Sequence, residues 1–107
     1  MIKDKRPYHV FVFKCDSVTI EHTVRPKAPT LEELQKIVGG YVKTVPFFKR
    51  IWLEGGKYLA GGVAMCDEDG RRKYKAFNVI ATRMWREQYQ QAEPLVGDVV
   101  FYVRERK

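Results

Sequence analysis

Two short runs, Val10-Phe11-Val12-Phe13 and Val99-Val100-Phe101-Tyr102-Val103, constrain the fold of this chain more than anything else in it. In a strand, successive side chains point to opposite faces, so Val10 and Val12 share one side and Phe11 and Phe13 the other. Apolar groups on both sides require cover on both faces, which places such strands inside a sheet. The first run belongs to a strand predicted over Tyr8 to Cys15. The second forms a closing, internal strand over Val99 to Val103. Neither approaches the roughly 20 apolar residues that span a bilayer.

Between them the punctuation is clear. After a tight turn at Asp16-Ser17, Val18, Ile20, His22 and Val24 alternate with Thr19, Glu21 and Thr23, the pattern of a half-buried second strand that Pro26 and Pro29 end. Thr30-Leu31-Glu32-Glu33 is a capping box, in which hydroxyl and carboxylate satisfy amides left over at a helix start. Leu31, Leu34, Ile37 and Val38 form the apolar stripe of that helix, and Gly39-Gly40 ends it. Tyr41 to Val45 is a third strand closed by Pro46. Phe47 to Lys57, rich in aromatic and basic residues, has no single reading. Leu59 to Cys66 reads as a small-residue strand in which Gly61 and Gly62 mark a bulge or a close backbone approach. Asp67-Glu68-Asp69-Gly70 reads as a solvated hairpin turn, with Arg71 to Phe77 as its return strand. Asn78 caps a second helix running to about Gln90, with Ala81, Met84, Trp85 and Gln88 on one face. The expected fold is α+β: one domain over residues 1–107, with two helices and a mostly antiparallel or mixed sheet of five to six strands. Residues 1–7 form a charged arm.

The chemistry-bearing residues are few. His9 and His22 lie on separate strands, and no metal-ligand spacing links them to Cys15 and Cys66, so neither a metal site nor a cofactor is expected. His9 and Cys15 are six strand positions apart, about 20 Å, and cannot form a catalytic dyad. The acidic turn lacks the ligand spacing of a calcium loop. No glycine pair follows the phosphate-cradle pattern. Without a catalytic motif, no enzymatic activity is expected. Two cysteines in apolar strands, behind an amino terminus lacking the apolar stretch of a secretory signal, are expected to stay reduced in an intracellular protein.

Charge points toward a partner. The 107 residues carry a net charge of +7, which draws anions. Arg71-Arg72-Lys73-Tyr74-Lys75 would place Arg71, Lys73 and Lys75 on one strand face by alternation. Arg83 and Arg86 share a stripe on the following helix. Together with Tyr74 as a stacking plane, these five cations form the candidate nucleic-acid or anion-binding face. The alternative is a protein interface built from Phe47, Phe48, Trp52 and Leu53.

The run Leu31-Glu32-Glu33-Leu34-Gln35-Lys36-Ile37-Val38-Gly39-Gly40-Tyr41-Val42 resembles the helix-to-strand motif of an uncharacterised small domain family of phages and large DNA viruses. Cys66-Asp67-Glu68-Asp69-Gly70 matches a hairpin that in the family often reads Asn-Glu-Glu-Gly. Phe77-Asn78-Val79-Ile80-Ala81-Thr82 and Val96-Gly97-Asp98-Val99-Val100 match its closing pieces, so the likeness spans roughly residues 8–104. Cys66 stands where the family usually has Asn, and Phe47 to Lys57 is longer than typical. The family has no established activity. The resemblance implies a viral setting more than a mechanism. Taken with the basic face, the expectation is a virus-encoded accessory protein in a host cytoplasm or nucleus, binding nucleic acid or, alternatively, a host protein or a small anionic nucleotide signal.

Overall fold

The computed structural model describes residues 6–15, 19–53 and 58–105, with Tyr58 described by its backbone alone. The strands are β1 (Tyr8–Phe13), β2 (Ile20–Arg25), β3 (Val42–Thr44), β4 (Arg50–Trp52), β5 (Tyr58–Ala60), β6 (Val63–Asp67) and β7 (Val99–Arg104); the helices are α1 (Leu31–Val38) and α2 (Val79–Gln88). Five strands form one sheet in the order β2-β1-β7-β6-β3, and β4 and β5 form a second of two strands. Every pairing is antiparallel. The fold is α+β, as the patterning predicts. No helix among the described residues is long and apolar enough to cross a membrane.

The two-faced runs sit where their chemistry demands. β1 and β7 are hydrogen-bonded neighbours, with Phe11 opposite Phe101. Val10 and Val100 pack on one face with Leu34 and Val38 of α1. Phe11, Phe13, Val99 and Phe101 pack on the other with Phe48, Ile51, Ala81 and Trp85. The sheet is therefore a middle layer, with α1 on one side and α2 and the small β4–β5 sheet on the other.

Local devices fix the helices. Thr30 Oγ1 accepts from the Glu33 amide while the Glu33 carboxylate accepts from the Thr30 amide, completing the capping box, and Gly39 closes α1 at φ 79°. Asn78 caps α2 and does more. Its side-chain oxygen accepts from the Ala81 amide at 3.1 Å, and its Nδ2 donates to the carbonyls of Phe13 at 2.8 Å and Gly97 at 2.9 Å. One buried amide thus joins the end of β1, the start of α2 and the approach to β7. Neither Cys15 nor Cys66 forms a disulfide.

Four expectations are corrected. β2 is exposed along most of its length, with Val24 56% exposed; it is an edge strand, and α1 lies over β3, β6 and β7. Leu31 is 60% exposed, so the buried stripe of α1 is Leu34 and Val38, with Ile37 half-buried. The strand expected over Leu59 to Cys66 breaks at Gly61-Gly62 into β5 and β6, which belong to different sheets. Gly62 does mark a close approach: a Cβ there would overlap the Phe101 ring and sit 2.8 Å from the Tyr102 carbonyl oxygen. Finally, Arg71 to Phe77 is no return strand. β6 is paired on both sides, by β3 and β7, leaving no edge for one. The segment coils instead, with amides of Lys73, Tyr74 and Lys75 donating to the carbonyls of Asp69, Arg71 and Gly70. The Asp16-Ser17 turn and most of the charged arm lie outside the described residues.

Candidate anion-binding surface

The five candidate cations separate into three groups. Lys73 and Lys75 turn inward. The Lys73 Nζ lies 2.9 Å and the Lys75 Nζ 2.6 Å from Oδ2 of Asp67, whose side chain is fully buried at the end of β6. Lys73 also donates to the Gly39 carbonyl at 3.2 Å and Lys75 to the Val38 carbonyl at 2.6 Å. A helix end leaves its last carbonyls without partners and carries partial negative charge, so two ammonium groups settle there readily. Burial pushes the Asp67 carboxyl up, but the lysine ammonium groups and the Asp69 amide outweigh it and hold the group at about 2. Asp67 is thus a buried anchor, not part of a solvated turn.

Arg71 forms the second group. Its Nη2 donates to the Pro94 carbonyl at 2.9 Å and lies 3.3 Å from the Glu93 carboxylate. It stands at the rim of a cleft of about 230 Å³ floored by Trp85, Leu95 and Cys66, with Lys43 and Glu68 also lining it. Trp85 is fixed there by its indole N–H, which donates to the Pro46 carbonyl at 2.7 Å. Burial pushes the Cys66 thiol up, which keeps it protonated and unreactive. The lining holds Asp67, Glu68 and Glu93 against Lys43 and Arg71, so the cleft has no excess of positive charge to draw an anion.

Arg83 and Arg86 are the third group. Both are exposed on α2, and among the described residues neither has an ion-pair partner. They line a shallow hollow with Phe77, Val79, Thr82 and Glu87. Phe77 is 45% and Val79 50% exposed, so apolar surface flanks the two guanidinium groups. Sequence reasoning picked out the arginines by their spacing but missed Phe77 and Val79. Their place before and within the first turn of α2, off the face that carries Ala81 and Trp85, was the available signal.

The four-residue aromatic interface does not assemble. Phe48 is 1% exposed and belongs to the core; Leu53 packs against that core. Trp52 is half-buried with the Arg50 guanidinium 5.3 Å above its ring. Phe47 is exposed, but its ring lies 4.9 Å from that of Tyr89. The physical reason is packing: Phe48, ahead of β4, lies against the rings of Phe13 and Phe101, and Ile51 is the buried residue of β4.

The histidines form a file. His9 Nδ1 lies 2.8 Å from His22 Nε2, and His9 Nε2 lies 3.0 Å from the Glu105 carboxylate. Because the two ring nitrogens of His9 point to different partners, the three groups cannot converge on one ion. Among the described residues no cluster of three or more potential metal ligands occurs. What the surface offers chemically is two unpaired, always-charged guanidinium groups beside apolar and aromatic surface, a combination suited to phosphates and bases. Comparison with protein-family models, curated proteins and solved structures found no match to this chain.

Proposed function

We propose that this protein acts by binding, and that its ligand is a nucleic-acid backbone held by the outer face of α2. The observation that carries the reading is the pair Arg83 and Arg86, exposed and unpaired beside Phe77 and Val79. Arginine presents a planar fork that meets phosphate with two hydrogen bonds, which a solvated lysine does not. The net charge of +7 adds long-range attraction. Lys73 and Lys75, engaged with Asp67, contribute to the general field and not to the grip. The accessory role in a viral setting is part of the same proposal and rests on the three sequence motifs.

A salt titration tests it. Affinity for a labelled oligonucleotide, read by fluorescence anisotropy, should fall steeply with salt, with a log–log slope of about −0.7 to −0.9 for each phosphate contacted. Changing Arg83 and Arg86 together to Glu should weaken binding and flatten the slope by about 1.4 to 1.8. Changing Lys27 and Lys36 to Glu, two exposed cations outside α2, alters net charge equally and should do much less. Equal losses in the two variants would reduce the site to a generally basic surface and refute the proposal.

A further inference from the structure

Tyr74 is 94% exposed and holds φ at 56°. The left-handed region is uncommon for any residue with a side chain and unusual for a bulky one, because Cβ crowds the following carbonyl. Glycine would occupy this position without strain. The ring, meanwhile, contributes almost nothing to the fold, since an aromatic stabilises by burial and this one is in water. Its surroundings explain how it is held. Lys73 and Lys75, on either side, are both drawn inward onto the single buried oxygen of Asp67. The residue between two such anchors points out.

Three residues further on lies Phe77, 45% exposed and lining the hollow with Arg83 and Arg86. Three residues of chain cannot separate the two Cα atoms by more than about 11 Å. A strained, exposed tyrosine, a second exposed aromatic and two free guanidinium groups therefore lie within reach of one short stretch of polymer. Aromatic faces accept any base by stacking, but a base offers its face only when it is not paired and stacked in a duplex.

We infer that Tyr74 and Phe77 are stacking platforms and that the surface selects single-stranded over double-stranded nucleic acid, with the Asp67–Lys73–Lys75 cluster as the mount that presents Tyr74. This rests on the nucleic-acid reading above and adds the strand state of the ligand. Arg83 and Arg86 hold the backbone, and the two rings hold bases.

The test compares a labelled oligothymidylate with a duplex of the same length at low salt. The wild type should bind the single strand more tightly. Tyr74→Gly is the informative variant, because it relieves backbone strain while removing the ring. It should melt no lower than wild type yet bind the single strand about tenfold more weakly, the contribution of one stacked base. Its salt slope and duplex affinity should stay unchanged, and Tyr74→Trp should retain single-strand binding. A purely structural role for Tyr74 predicts no such split between stability and binding. Equal affinity for the two probes, or undiminished single-strand binding by Tyr74→Gly, overturns the stacking proposal. Loss of binding in the Arg83 and Arg86 double variant would still support the backbone reading in that case. A wild type that retains neither probe at low salt overturns both.

Discussion

Replacing Asp67 with Asn keeps the shape of the side chain and its bond from the Asp69 amide, but removes the charge on which two lysines converge. Both Nζ atoms lie within hydrogen-bonding distance of the same Oδ2, and the carboxylate has no exposure of its own. The group is held down from 3.8 to about 2. At about 1.4 kcal/mol per pH unit, that difference corresponds to about 2 kcal/mol of stability at neutral pH. Hydrogen bonds to charged groups give a similar figure, about 1.5–3 kcal/mol each, reduced here because Lys73 and Lys75 are 41% and 23% exposed and regain water when released. The sign follows from a depressed carboxyl. Its contribution is complete above the unfolded value near 3.8 and is lost as pH falls through the folded value near 2. Urea melts at several pH values measure this directly. Asp67→Asn should lose about 2 kcal/mol at neutral pH, and the gap to wild type should close between pH 4 and pH 2. Glu33 and Asp98 are depressed too, but both remain in the variant and cancel from the difference. A gap that stays constant across that window would refute the account of Asp67 as a charge anchor.

Two further perturbations probe the frame that carries the surface. Asn78→Asp would aim a carboxylate at the Phe13 and Gly97 carbonyls that the amide now serves; a loss of about 3 kcal/mol or more is expected in denaturant melts, larger at neutral pH than under acid conditions where the carboxyl is protonated and can donate. Gly62→Ala would press a methyl group into the Phe101 ring and the Tyr102 carbonyl, lowering stability by about 1–3 kcal/mol, with no change if the two chain segments can separate freely.

Much of this architecture was legible because it is local. The alternation of Val10 to Phe13 fixed β1 as a covered strand, Thr30 and Glu33 fixed the start of α1, and Asn78 fixed the start of α2, each from residues within one turn or one pleat. Asp67 was not legible. As sequence it is the first of three acids beside a glycine, which reads as a solvated turn. Its burial depends on the carbonyl end of α1 arriving overhead, and the Lys75 bond to Val38 spans 37 positions. The same distance effect misled the reading of Arg71 to Phe77. Local turn chemistry favoured a hairpin, but β7 and β3 already occupied both sides of β6. For the candidate surface, helical spacing revealed Arg83 and Arg86. Which lysines were already paired depended on contacts that no local pattern encodes.

The position of β7 has a consequence for how this chain comes to be folded. Among the described residues it alone joins the β2–β1 pair to the β6–β3 pair. At the junction, the Cys15 amide meets the Asp98 carboxylate across 83 positions of chain. During synthesis the aromatic face of Phe11 and Phe13 must wait for β7, which lies far along the chain, and closing so wide a loop is entropically slow. A nascent chain that stops before Val99 holds two strand pairs with nothing between them. The sheet and its central layer come into being together, when β7 takes its place between the two pairs.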